Sequence, residues 1–183
     1  MAGNAQKRGR QYEKRIANDV YENTPPAVNV YPCGFSGNGA IPQPDILISA
    51  QTGNFAIEMK KSSKDRFYID GEDLLQLVEC ENKNTEAVIM MKFSHREPVL
   101  FSPFKPIDHG DGTKSMLPTD PTEQDLAKHA VANCPQQFEA HATNAGSLRL
   151  SKPSTIDWSS SQAGLSDDGC VIRSLRLSYR YQR

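Results

Sequence analysis

Two neighbouring segments carry residues whose types and spacing suit phosphodiester hydrolysis. Pro44-Asp45 is followed, after 12 intervening residues, by Glu58-Met59-Lys60. In an extended strand the side chains alternate faces, so Glu58 and Lys60 project to one side and Ile57 and Met59 to the other. Gln51-Thr52-Gly53-Asn54, between the two segments, has turn chemistry. A hairpin closed there brings Asp45 beside Glu58 and gathers two carboxylates and an ammonium on one patch. A third acid, Glu13, lies on an upstream helix. Two or three carboxylate oxygens suit a hard divalent cation, Mg2+ or alternatively Mn2+. Such an ion acidifies a water and polarises a phosphate. Lys60 can orient the attacking water or stabilise charge developing at phosphorus. A solvated Glu-Lys pair on a surface hairpin would show the same pattern. The strand-turn-strand setting, the glycine-rich stretch before it and the basic helix carrying Glu13 favour the nuclease.

The elements that must position these groups follow from periodicity. Residues 6–23 predict a helix, with Tyr12, Ile16 and Val20 on one stripe and Pro25-Pro26 as its stop. Residues 27–31 alternate as a strand and lead into the loop Gly34-Phe35-Ser36-Gly37-Asn38-Gly39. Residues 45–49 and 55–60 predict the two strands of the hairpin. Asp70 stands as N-cap of a helix over 72–81, whose apolar face is Leu74, Leu75, Leu77 and Val78. The near-continuous apolar run 87–93 predicts a buried central strand, with 98–102 beside it. The order is α-β-β-β-α-β-β, an α/β core over residues 1–104. Residues 105–183 read as an irregular extension of unassigned role. Within it 105–122 look like a linker, 121–132 a short helix, 144–170 a Ser-, Gly- and Asn-rich stretch, and 171–181 a strand. Trp158 is expected to anchor this tail on the core.

The 183-residue chain has a net charge of −1, so any DNA contact must come from local basic faces. Lys7, Arg8, Arg10, Lys14 and Arg15 surround Glu13, and Arg173, Arg176, Arg180 and Arg183 close the chain; both runs are candidate phosphate contacts. Lys61 and Lys64 lie at the rim of the acidic patch and can meet phosphates too. Cys33, Cys80, Cys134 and Cys170 lack zinc-pair spacing and read as reduced thiols of a cytosolic protein. No run of about 18 apolar residues predicts a membrane span, and the N-terminus lacks a secretory h-region. His95 and His109 receive no role.

Over residues 7–102 the sequence resembles the archaeal Holliday junction resolvases, within the superfamily of restriction-endonuclease-like nucleases marked by Pro-Asp … Asp/Glu-x-Lys. The resemblance is carried by Lys7-Arg8-Gly9-Arg10-Gln11-Tyr12-Glu13, Gly34-Phe35-Ser36-Gly37, Pro44-Asp45-Ile46-Leu47, Ala56-Ile57-Glu58-Met59-Lys60 and Lys64-Asp65-Arg66-Phe67-Tyr68-Ile69. It implies a central mixed sheet flanked by helices. It implies Glu13, Asp45 and Glu58 as metal-binding acids, Lys60 as the catalytic lysine and Ser36 near the scissile phosphate. Lys14 would match the basic residue that follows the family's helix acid. It also implies a homodimer that cuts opposed strands of a four-way DNA junction in the cytoplasm of an archaeal cell, encoded by that cell or by its virus. Two features depart from the pattern: the first strand, Val28-Asn29-Val30-Tyr31, lacks an expected arginine, and the second helix is rich in Leu where aromatics are expected. Another nuclease of the same fold (restriction-like or repair) and a non-catalytic junction-binding protein remain alternatives.

Overall fold

The structure, a computed structural model, describes residues 11, 12, 14, 15, 17, 18, 29–33, 43–50, 53–93, 99–136 and 138–152. In chain order its elements are β1 (Asn29–Pro32), β2 (Ile46–Ala50), β3 (Gly53–Ser62), β4 (Arg66–Ile69), α1 (Gly71–Glu79), β5 (Thr85–Phe93), β6 (Val99–Phe101), β7 (Ile107–Asp108), β8 (Lys114–Ser115), α2 (Glu123–Asn133), β9 (Glu139–Ala142) and β10 (Leu148–Ser151). The six described residues between 11 and 18 are helical.

Five strands form the central sheet in the order β1-β2-β3-β5-β6. β2 and β3 are the hairpin expected from the turn residues, antiparallel with Ile46 opposite Ile57 and Ala50 opposite Gly53. Gly53, at φ +143°, adopts at this corner a backbone angle that a side chain would resist. β3 and β5 run parallel. A parallel pair needs a crossover, and β4 with α1 provides it. The apolar run in β5 is explained by its place: Ala87 to Met91 are buried without interruption, because both faces of the sheet are covered.

One face packs Ile46, Ile48, Phe55, Ile57, Met59, Val88, Met90 and Leu100 against Tyr12 and Ala17. The other packs Ala56, Ala87, Ile89 and Met91 against Leu74 and Leu77 of α1, Leu126 and Ala130 of α2, and Leu148 and Leu150 of β10. The molecule is therefore α/β, a mixed sheet with helices on its faces.

The structure departs from the sequence reading in several places. Residues 66–69 are a strand, and with β10 and β9 they make a second, three-stranded antiparallel sheet in the order β4-β10-β9. The stretch 105–122 contains the small hairpin β7-β8. Residues beyond 104 do not stand apart from the core, since Leu126, Leu148 and Leu150 are fully buried within it. These strands are short and their partners are distant in sequence, as where Leu148 pairs with Ile69, so no local pattern announces them. The helix expected over 121–132 is α2, opened by a capping box in which Thr122 and Asp125 each bond the other's backbone N–H. Asp70 does occupy the N-cap of α1, but its side chain makes no capping bond. The strand expected over 171–181 and Trp158 lie outside the described residues.

Candidate active site

Asp45 stands at the mouth of β2, one residue beyond the last pair of the hairpin ladder, Ile46 with Ile57. That register sets it across from Glu58, on the face that Glu58 and Lys60 share. Its side chain is buried, 7% exposed. Its Oδ2 accepts the backbone N–H of Met59 at 2.7 Å, and its own carbonyl accepts the N–H of Cys33 at 2.9 Å. The acid is thus tied to β1 through its backbone and to β3 through its side chain.

The Lys60 ammonium lies 2.9 Å from Glu58 Oε1 and 2.6 Å from Asp73 Oδ2. Asp73 comes from the first turn of α1, so the helix docked on the sheet contributes to the same cluster. Three carboxylates and one ammonium meet at this corner of the sheet. Burial pushes Glu58 up to about 7, and the neighbouring Asp45 charge adds to the rise, while Lys60 holds it down. Burial alone would lower Lys60, but the Glu58 and Asp73 carboxylates raise it above the ordinary lysine range. Lys60 therefore stays protonated as a fixed cation, and Glu58 is an anion its surroundings only half support.

A family model described as archaeal Holliday junction resolvase (Hjc) matches residues 4–119. The chain belongs to the archaeal Holliday junction resolvase family. Among solved structures, Hjc of Archaeoglobus fulgidus, described as a Holliday junction resolvase from an archaeal hyperthermophile, aligns with a TM-score of 0.46 and 18% identity over 57% of this chain and 82% of that chain. No curated protein sequence matches.

Among the residues this resolvase-family chain was expected to use, Asp45, Glu58 and Lys60 are brought together. Glu13 and Ser36 lie outside the described residues, as do Arg8 and Arg10. Lys14 is exposed on the helical segment. Lys61 is exposed with its Nζ 4.9 Å from the Tyr12 ring centroid, and Lys64 is exposed in the turn before β4. Lys61 follows Lys60 directly but alternates to the opposite face of β3, over Tyr12, and Lys64 lies four residues beyond Lys60.

Asp73 is the residue sequence reasoning missed. Asp70-Gly71-Glu72-Asp73 has the spacing of a capping box, in which the acid at the third helical position turns back to the N-cap. In α1 that bond is absent and Asp73 reaches Lys60 instead. The available signal was a helix-opening acid shortly after Glu-x-Lys, and its apparent local role concealed the long-range one.

The residues fit a divalent cation in donor chemistry. Asp45 and Glu58 offer hard oxygens, and a second cation would relieve the repulsion that raises Glu58. Among the described residues, no group of three His, Cys, Asp or Glu is by itself placed to hold a metal. The expected third acid, Glu13, is not among them. Cys33, Cys80 and Cys134 are free thiols. No helix among the described residues is long and apolar enough to cross a membrane.

Proposed function

We propose that the protein is an endonuclease that resolves four-way DNA junctions by hydrolysis at the Asp45–Glu58–Lys60 cluster. The observation that supports this most is the convergence of two strand-borne acids and a doubly held lysine, in a chain of the resolvase family. Asp45 and Glu58, joined by Glu13, would hold Mg2+ or Mn2+ there. The ion would supply Lewis acidity for the scissile phosphate and for the attacking water. Lys60, kept charged by Glu58 and Asp73, would donate hydrogen bonds to a phosphoryl oxygen as negative charge grows on it. Asp73 would keep the ammonium aimed while Glu58 turns to the cation. Ser36 would act beside the scissile phosphate, and Arg8, Arg10, Lys14, Lys61 and Lys64 would contact the backbone of the arms. A homodimer would place two such sites on opposed strands, since a twofold protein matches the pseudo-twofold junction.

The test uses end-labelled four-way junction, linear duplex and single strand, each with Mg2+ and with EDTA. Paired symmetric nicks in the junction alone, abolished by EDTA, are expected. Sequence-defined cutting of linear duplex would replace this reading with a restriction-like one. Tight junction binding without nicks would make the protein a junction-binding factor.

A further inference from the structure

We propose that the outward face of the β4-β10-β9 sheet is a second DNA-contact surface, which holds the phosphate backbone of a duplex arm away from the cleavage site. The inference takes the identity of the DNA from the reading above, but it concerns binding and not hydrolysis.

Strand alternation defines the face. Phe67, Ile69, Leu148 and Leu150 point into the core, so Arg66, Tyr68, Arg149 and Ser151 point away from it. Register then sets these side chains in two rows across the sheet. Arg149 lies between Tyr68 and His141, and Ser151 lies between Arg66 and Glu139. Arg66, Glu139 and His141 are exposed. Tyr68 is 48% exposed, one of three large apolar or aromatic side chains so open to solvent among the described residues.

The charge on this face is positive. Arg66 and Arg149 stand against Glu139, and Asp65 at the edge is already held by Lys152 at 3.6 Å. Arg149 is the more telling group. Its Nε is closed off from solvent and has no hydrogen-bond partner among the described residues. The Nε itself is out of a phosphate's reach, but Arg149 is partly exposed, and the other N–H groups of a guanidinium form the planar fork that suits phosphate oxygens. Tyr68 beside it offers a ring to pack on deoxyribose. Two arginines and an aromatic on a sheet surface, with one lone acid, match the backbone of DNA better than a protein surface.

Position also favours an arm. β4 starts at Arg66, four residues after β3 ends at Ser62, so the face is tethered directly to the strand bearing Glu58 and Lys60. Its other half lies elsewhere in sequence. Arg149 and His141 fall beyond residue 119, where the family match ends, so this surface uses residues the family pattern does not cover.

The full-length protein is titrated against fluorescent four-way junction and against linear duplex in EDTA, over a series of salt concentrations. Arg66→Gln/Arg149→Gln is expected to weaken junction binding about tenfold and to make the log–log salt slope shallower by about 2, close to 0.9 per lost phosphate contact. Glu139→Lys, at an exposed site where misfolding is no concern, is expected to tighten binding and steepen the slope by about 1. Single-turnover cleavage by saturating enzyme should be unchanged in both variants. Unaltered affinity and slope in both would overturn the inference. So would a shift in oligomeric state at constant junction affinity, which would give the face to a second copy of the chain. If the wild type itself bound no junction, the nuclease reading would fail. If the wild type binds and the variants match it, only this surface fails.

Discussion

Lys60 is held by two carboxylates at 2.9 and 2.6 Å, and that arrangement separates the roles of the residues around it. Lys60→Ala should slow junction cleavage by about 100–1000-fold, the scale of losing one transition-state donor, while metal affinity measured by calorimetry stays close to wild type. Asp73→Asn should cost roughly tenfold in single-turnover rate, as expected for a partner that orients a reacting group, with junction affinity unchanged. Glu58 makes a pH prediction. Its carboxyl is raised from 4.5 to about 7. Between those values the unfolded chain has released the proton and the folded, metal-free chain keeps it. Stability from this group is thus complete below about 4.5 and falls as pH rises through 7, by something on the order of 1–3 kcal/mol. Denaturant titrations in EDTA should show this decline in the wild type and not in Glu58→Gln. Mg2+ should reverse it above pH 7, because the ion takes the ionised form. At this scale Asp45, Glu58 and Lys60 were legible, because strand parity and a turn dictate their meeting. Asp73 was not, because only the docking of a helix brings it there.

The elements matter to the site through two contacts. α1 must sit close to β3 for Asp73 to reach Lys60, and its first residue, Gly71, lets the start of α2 pack against the opening of α1. A methyl group there would run into the Glu123 carboxylate at the start of α2. Gly71→Ala should therefore cost about 1–3 kcal/mol by overpacking, read by chemical denaturation, and should lower cleavage further by displacing Asp73. The second contact is the central strand. Ile89, directly across from Glu58 in the parallel β3–β5 ladder, is fully buried, and Ile89→Ala should cost about 2–5 kcal/mol while leaving the site's chemistry to the surviving folded fraction. The central strands, α1 and α2 were legible because each buries a face with regular period. β4, β9 and β10 were not. Each is four residues long, and each is stabilised by partners that only the finished fold supplies.

The molecule as a whole is built on one central sheet whose two faces do different work. Tyr12 and Ala17 pack on one face. The other carries Glu58 and Lys60, the helices α1 and α2, and the second sheet. Residues 105–183 were expected to be an irregular extension because their composition is rich in turn residues, yet Leu126, Leu148 and Leu150 within it complete the core over β5. Truncation after residue 104 would uncover that apolar face and leave Asp73 on a poorly supported helix. The proposed role of the buried Asp45 carboxylate is to serve a metal-dependent cutting centre. It is tested most directly by single-turnover cleavage of labelled four-way junction with the wild type and Asp45→Asn, each bound to the junction beforehand and started with Mg2+. Nicks are expected from the wild type and none from Asp45→Asn, with equal junction affinity. Wild-type cleavage by Asp45→Asn would contradict that role.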